Sequence, residues 1–584
     1  MKVSDYIINF LTKQKVQHIF YMIGGAITHL VDSSVNKANL TLITMHHEQA
    51  AAFAAEAYAR CNNKLGVAMA TSGPGATNLI TGIGSCFFDS VPCLFITGQV
   101  NTYEYKFDAP VRQVGFQETD IVSIVKPITK GARLVKNAKN IRKDLEWAVN
   151  LAQTGRPGPV LLDIPMNIQR ADINPKLLSP LKIEFPKKIS IKSDILREVF
   201  DAIKTAQRPV ILVGGGVRCA DAAKELFELV DATKIPVVVS LMGIDAFPHD
   251  HPSYVGMLGA YGNRYANIIT ANADFLLILG SRLDSRQTGT RPETFARGAK
   301  IVHIDIDQQE LSRVTVQKNK KIKADIKNFL QHFNEIINKA PIKTSQKWMN
   351  YISMCHQKCS DNIFYDICEH KINPNEFIFK LSKYIANNAI ITVDVGQHQM
   401  WVAQSLVVKS GQRVLISGGM GAMGFALPAA IGAAFLDRKR QIVVIVGDGG
   451  FQINLQELQT IIRNKLNIKI VLLNNNSLGM VRQFQEIYFH GRTEGTVTGY
   501  SNPDFIKIAE AYGIEAIRLT ERKKIAKTLQ NFMSKNNSCL LEIILPQSTK
   551  VEPKLIVNDP IEDQDPKLPL EELEKMMLVS IISR

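Results

Sequence analysis

The sequence predicts an α/β protein made of three open, mostly parallel sheet domains covered by helices. Short apolar runs of buried-strand type alternate with helical segments along the chain, which is the pattern of parallel sheets covered on both faces. The 584 residues also exceed what a single hydrophobic core supports, so three domains of about 190 residues are expected. Apolar residues are 46% and charged residues 21% of the chain, a balance that excludes general disorder.

The first domain is expected over residues 1–175. Strands read at 18–22, 40–45, 67–71, 93–97 and 160–164, and an alanine-rich helix at 48–60. Ile23-Gly24-Gly25 and Ser72-Gly73-Pro74-Gly75 supply glycine turns after two of the strands. A polar, proline-containing stretch at 175–193 leads to a second domain over 190–340. Its strands read at 209–213, 236–240, 275–279 and 301–306, and the first runs into Gly214-Gly215-Gly216. Residues 340–373, polar and carrying Cys355, Cys359 and Cys368, read as a second linker. The third domain is expected over 373–545, with strands at 389–393, 441–446, 468–473 and 540–544. The tail, 546–584, holds five prolines and reads as a surface wrap with one short helix near 571–577.

The net charge of +15 favours solubility. The basic clusters at 136–143 and 318–323 are short and no nucleic-acid-binding motif accompanies them, so a solvated surface and no nucleic acid are expected. Eight scattered cysteines argue against a disulfide scaffold. Cys355, His356 and Cys359 lack the second half of a zinc site. No apolar run reaches the roughly 18 residues of a membrane span and the start has no signal core, so the expected setting is cytoplasmic with no membrane.

The sharpest chemical feature is Gly447-Asp448-Gly449-Gly450 followed by Asn474-Asn475, with 24 residues between Gly449 and Asn474. Glycines after a buried strand let the backbone approach a phosphate, and Asp448 falls at the carboxyl end of that strand, where open sheets bind ligands. One carboxylate and one carboxamide oxygen, completed by diphosphate oxygens and water, suit magnesium. The spacing Gly419-Met420-Gly421-Ala422-Met423-Gly424 is a formal dinucleotide fingerprint, equally readable as a tight turn under a helix. Glu48 opens the alanine-rich helix among Met45, Ala50, Ala51 and Phe53, where burial would raise its affinity for a proton. Alone, such an acid is usually a dipole partner.

Met45-His46-His47-Glu48-Gln49, Thr71 to Asn78, Gly155-Arg156-Pro157-Gly158, Asp394 to Trp401, Gly418 to Phe425 and the Asp448/Asn475 pair together resemble the thiamine-diphosphate enzymes of the acetohydroxyacid (acetolactate) synthase group, over residues 3–544. The resemblance implies that family's architecture, with a pyrimidine-binding first domain, a flavin-binding-like central domain and a third domain for diphosphate and magnesium. By the same comparison Glu48 resembles the glutamate that hydrogen-bonds the aminopyrimidine and promotes loss of the thiazolium C2 proton, and Gln117 a glutamine near cofactor and substrate. The carbonyls of Gly421 and Met423 would hold the pyrimidine, with the Met423 side chain imposing the bent cofactor shape. Gln397, His398, Gly447 and Gly449 would stand at the diphosphate, and Asp448, Asn475 and the backbone of Ser477 at magnesium. Arg156, Gly214, Gly215, Gly216, Met257, Arg282, Asp305, Ile306 and Asp325 resemble contacts to FAD, a structural cofactor in this branch. Arg286 would face the carboxylate of the acceptor, which a guanidinium fork matches; two arginines beside Asp284 also suit a plain salt bridge. Gly25, Phe116, Met480 and Phe484 would line the substrate.

The activity implied is decarboxylation of pyruvate and transfer of the two-carbon unit to a second 2-oxo acid, giving 2-acetolactate for branched-chain amino-acid synthesis. Alternatives are transfer to a nucleotide-linked keto sugar of surface polysaccharide, a pyruvate oxidase or decarboxylase, and an inactive cofactor-binding protein. Implied partners are a second copy in a homodimer or homotetramer with active sites at the subunit interface, and a small regulatory subunit. The chain departs from the family pattern in four places. Ile23 precedes the first glycine turn where proline is usual, no lysine occurs in Asp163-Ile164-Pro165-Met166-Asn167, Phe484 stands where tryptophan is favoured, and the tail is extended.

Overall fold

The computed structural model describes residues 1–35, 37–182, 191–313, 316, 319–360 and 371–582. The first sheet holds β1 (His18–Tyr21), β2 (Thr41–Thr44), β3 (Gly66–Ala70), β4 (Cys93–Gln99), β5 (Gly131–Leu134) and β6 (Val160–Pro165), in the order β2-β1-β3-β4-β6-β5. The second holds β7 (Pro209–Val213), β8 (Val237–Val239), β9 (Tyr254–Met257), β10 (Phe275–Leu279), β11 (Lys300–Asp305) and β12 (Asn319–Lys323), ordered β12-β11-β10-β7-β8-β9. The third holds β13 (Ile390–Val393), β14 (Arg413–Ile416), β15 (Ile442–Gly447), β16 (Ile468–Asn474), β17 (Glu515–Leu519) and β18 (Cys539–Ile544), ordered β14-β13-β15-β16-β18-β17. The strand pairings are parallel, and helices cover the sheets, as the sequence predicts.

The orders locate the ligand sites. In the first and third sheets the order reverses between β1 and β3 and between β13 and β15. The central sheet has the order of dinucleotide-binding folds and reverses between β7 and β10. Such reversals leave a crevice outside the carboxyl ends of the strands. Each crevice here carries a glycine turn singled out from the sequence. The register Gly447↔Leu473 brings Asp448 and Asn475 off neighbouring strands together.

The first and third domains share a core. The Glu48–Asn62 helix packs along the Ala426–Leu436 helix, with Phe53 edge-on to Phe425 at 5.4 Å between centroids. Close approach is enforced at Gly432, where an added Cβ would strike the carbonyl of Ala54.

Two expectations are corrected. Residues 346–360 are not linker: the Gln346–Ser360 helix drives Trp348, Ile352, Cys355 and Cys359 into an apolar cluster with Val210, Leu276 and Ile278. Burial there pushes the Cys359 thiol up to about 11, which suits a packed thiol rather than a metal ligand. Cys368 and Lys318 lie outside the described residues. The tail does form a short helix, Leu570–Met576, but the segment before it is no surface wrap. Val551, Ile561 and Gln564 are wholly buried, and the Arg264 guanidinium donates to the carbonyls of Gln564 (2.9 Å) and Pro566 (2.6 Å).

Asp163, in the segment that departs from the family pattern, is buried on β6. It accepts hydrogen bonds from Thr97 Oγ1 (2.7 Å) and Gln99 Nε2 (2.9 Å). Desolvation outweighs these bonds and pushes its carboxyl up to about 7. A folded-state pKa above the unfolded value of about 3.9 contributes stability that is full below pH ~4 and lost as pH rises through about 7. Melting curves of the parent and Asp163→Asn should therefore show the parent's advantage shrinking from about pH 4 to about pH 7. A gap independent of pH would contradict this.

Candidate cofactor and active site

At the third-domain crevice, Asp448 starts the helix that follows β15. Its Oδ2 accepts from the Ser477 amide (3.2 Å) and Asn502 Nδ2 (2.8 Å), and its Oδ1 from the Gly449 amide (3.1 Å). Burial raises its pKa and these bonds oppose the rise. Asn475 donates Nδ2 to Gln397 Oε1 (2.9 Å), so its carboxamide oxygen is the atom left for a ligand. Gln397 is itself fixed by donation to the Thr549 carbonyl (3.0 Å) and Gln483 Oε1 (3.1 Å). His398 is buried, and desolvation lowers its pKa to about 3, so the ring is neutral. The ring lies against Gly447, where a Cβ would come within 2.7 Å of Nδ1. His398 Nε2 and Ser477 Oγ are buried with no hydrogen-bond partner, and orphaned polar atoms beside an acidic crevice fit a polar ligand.

The Gly418–Gly424 turn closes this crevice. It follows β14, at the edge of the third sheet, and precedes the Ala426–Leu436 helix. Asp394 accepts from the amides of Gly424 (2.9 Å) and Ala426 (2.8 Å), and Asp89 from those of Gly418 (3.0 Å) and Gly419 (2.7 Å). Gly421 has φ +66°, and a Cβ there would meet nothing within 4 Å. The Met423 methyl reaches over Gly449, 3.2 Å from where a Cβ would stand.

At the first-domain crevice the carboxyl ends of β1 to β4 converge. Glu48 is buried at the first turn of its helix, and its Oε2 accepts from Asn78 Nδ2 (3.0 Å). A Cβ at Gly75 would stand 3.2 Å from Glu48 Oε1, and one at Gly73 would stand 3.1 Å from Gln117 Cβ. Gln117 itself holds φ +65°. Gly25 faces open space. The loop before Glu48 is clamped by the third domain of the same chain. Glu457 Oε1 accepts from the amides of His46 (2.9 Å) and His47 (3.1 Å), and Asn454 Nδ2 donates to Gln49 Oε1 (3.1 Å).

Phe116 lies 86% exposed, while Phe484, 45% exposed, packs tilted against Tyr488 with 4.6 Å between ring centroids. Met480 shares the Phe484 helix, Gly479–Tyr488.

A cavity of 490 Å³ opens at the central crevice, within the range of cofactor clefts. Gly215, Gly216, Met257, Arg282 and Arg286 border it, as do Arg156 from the first domain and Asp305, Ile306 and Asp325 from the far side. Gly214 does not border it; it lies behind, where a side chain would strike the Gly280 carbonyl. Arg156 is held by Asp307 (3.1 Å) and Glu310 (2.9 Å). Arg282 pairs loosely with Asp284 at 3.8 Å, whereas Arg286 makes no ion pair among the described residues. The salt-bridge alternative therefore fits Arg282 and not Arg286.

Asn78, Asp394, Glu457 and Asn502 were given no role from the sequence. A chain of three parallel sheets, with a dinucleotide-ordered centre flanked by two sheets that each open a crevice at a strand-order reversal, has the architecture of thiamine-dependent enzymes. Three family models match it: the N-terminal thiamine pyrophosphate binding domain over residues 1–124, the central domain over 196–333 and the C-terminal thiamine pyrophosphate binding domain over 394–543. The chain belongs to the thiamine pyrophosphate enzymes, in the family of the acetolactate synthase large subunits. It is 37% identical to the acetolactate synthase large subunit of Lactococcus lactis subsp. lactis, covering 94% of each chain, and 37% identical to that of Cyanidium caldarium, again over 94% of each. It is 38% identical to the chloroplastic acetolactate synthase 2 of Zea mays, over 95% of this chain and 87% of the maize protein. Among the described residues, no helix is long and apolar enough to cross a membrane.

Proposed function

We propose that this enzyme decarboxylates pyruvate and joins the two-carbon unit to a second 2-oxo acid, forming 2-acetolactate, with Mg²⁺-anchored thiamine diphosphate and a structural FAD. The observation that carries the reading is the third-domain crevice. Asp448, Asn475 and Ser477 present hard oxygens there, beside a neutral His398 and an open Gly421 turn. Among the described residues no three His, Cys, Asp or Glu side chains gather as a metal site. A cation at Asp448 therefore draws on Asn475, Ser477 and ligand oxygens, which is how magnesium is usually held. Bound thiamine diphosphate supplies the electron sink that decarboxylation of a 2-oxo acid requires.

The protein's own residues then have separable tasks. His398, Gly447 and Gly449 line the phosphate end, Met423 stands across the crevice from Gly449, and the buried Glu48 holds a proton position at the first-domain crevice. Arg286, which makes no ion pair among the described residues, offers its guanidinium to the acceptor carboxylate. FAD fits the central cavity through the dinucleotide strand order and the Gly215-Gly216 turn.

We infer a homodimer as the smallest active unit. Tyr103, Val114 and Phe116 of the first domain are exposed at 69%, 58% and 86%, and Val481, Phe484 and Phe489 of the third at 53%, 45% and 45%. Exposed apolar side chains on both the first and the third domain support a surface that a second copy covers. The seven unpaired cysteines among the described residues support a reducing, cytoplasmic setting.

Methyl-labelled pyruvate, with magnesium and thiamine diphosphate, should yield acetolactate carrying two labelled methyl groups. Label recovered only in acetaldehyde or acetate would overturn the carboligase reading.

A further inference from the structure

Residues 549–551 of the tail are gripped by two helices, Gln397–Ser405 and Gly479–Tyr488. The Thr549 carbonyl accepts from Gln397 Nε2 (3.0 Å) and from the Arg482 guanidinium (2.5 Å), and the Lys550 carbonyl accepts from Trp401 Nε1 (3.0 Å). Gln483 engages Val551 twice. Its Nε2 donates to the Val551 carbonyl (2.9 Å), and its Oε1 accepts from the Val551 amide (2.9 Å). Thr549, Val551, Gln397, Gln483 and Asn475 are all buried.

These contacts fix the direction of every carboxamide in a chain that ends at Asn475. A carboxamide donates from nitrogen and accepts at oxygen, and a half-turn exchanges the two. A backbone amide only donates and a backbone carbonyl only accepts. Val551 therefore permits one orientation of Gln483, with Oε1 free to accept a second time. Gln397 meets two acceptors, Gln483 Oε1 (3.1 Å) and the Thr549 carbonyl, so its Nε2 faces them and its Oε1 faces Asn475. Asn475 donates Nδ2 to that Oε1 (2.9 Å), which leaves its own oxygen for the crevice. Turning Asn475 over would set two buried oxygens against each other with no hydrogen between them, a costly arrangement. Packing alone asks for none of this, since methionine fills nearly the same space as glutamine with no strong donor or acceptor.

We propose that Gln483 is a positioning residue for the cation: it takes its direction from the tail backbone and passes it through Gln397, so that Asn475 presents oxygen rather than nitrogen to magnesium. The inference rests on the magnesium site at Asp448 and Asn475 proposed above. A hard dication is held by oxygen and repelled by the hydrogens of an amide nitrogen. Groups that orient a ligand in this way act on metal affinity without touching the metal. The tail, which leaves the third sheet after β18, thus becomes part of the metal site without lending it a ligand.

The test is calorimetric titration of the full-length parent, Gln483→Met and Gln483→Glu with thiamine diphosphate, without magnesium and over a series of magnesium concentrations. In Gln483→Met the magnesium concentration that gives half its effect should rise about tenfold to a hundredfold, the usual loss when a group orienting a metal ligand is removed. Affinity without magnesium should barely change. Gln483→Glu should restore the parental response, because a carboxyl offers an oxygen to both the Val551 amide and Gln397 whether or not it is protonated. The half-effect concentration does not depend on the fraction of enzyme that is folded. A parental magnesium response in Gln483→Met, or an equal loss of affinity with and without magnesium, overturns the positioning role. A rise of about tenfold or more in Gln483→Glu overturns it as well, and that variant decides alone if Gln483→Met yields no folded enzyme. A parent whose affinity ignores magnesium removes the cation site itself, and the role of Gln483 with it.

Discussion

Glu48→Gln is expected to slow carbon dioxide release from pyruvate by about two to four orders of magnitude, the usual contribution of a positioned acid or base. The substitution is nearly isosteric, and Asn78 still finds a carbonyl oxygen at the position of Oε2. The loop that carries residue 48 is held by Glu457 through the amides of His46 and His47, none of which the substitution touches. The melting temperature should therefore stay within a few degrees of the parent's. Deuterium exchange at the ring carbon of the bound cofactor, followed by NMR, should fall in step with turnover. Near-parental turnover would remove Glu48 from the proton path. A large loss of stability would mean that the residue acts mainly on the fold.

The fold was legible wherever burial was complete. The strands β4, β10 and β15 are buried at every position, and such runs cannot be mistaken for loop. The strands missed were β5, β9, β12, β14 and β17, which lie at the edges of their sheets. The sequence of β12, Asn-Lys-Lys-Ile-Lys, shows why, since an edge strand bears charge to deter pairing with other chains and loses its apolar signature. The Gln346–Ser360 helix was hidden for a related reason: its polar outer face dominates the composition, while Trp348, Ile352, Cys355 and Cys359 repeat at helical spacing beneath it. Site residues followed the same logic. Asp448 and Asn475 stand directly after buried strands, so position alone pointed to them. Asn502 comes from a loop with no periodic signal, and Asn78 and Glu457 matter only through contacts with residues that the fold brings close. The central cavity was reachable only through family resemblance, because its lining comes from all three domains.

Asp448→Ala should weaken magnesium-dependent binding of thiamine diphosphate by at least about a hundredfold, since it removes a candidate ligand where loss of a mere supporting hydrogen bond already costs tenfold to a hundredfold. The comparison that decides is titration with and without magnesium. In the parent, magnesium should tighten binding greatly. In Asp448→Ala the two titrations should nearly coincide. A purely structural role predicts something else. Asp448 also accepts from Ser477, Asn502 and Gly449, so losing it loosens the turn that lines the phosphate end, which would weaken binding equally with and without the cation. Asn502→Ala separates the two effects, because it removes one of those bonds and leaves the carboxylate in place. That variant should keep most of its response to magnesium. If both variants lose the same amount of affinity and both keep the parental response to the cation, Asp448 is a brace for the turn and the metal lies elsewhere.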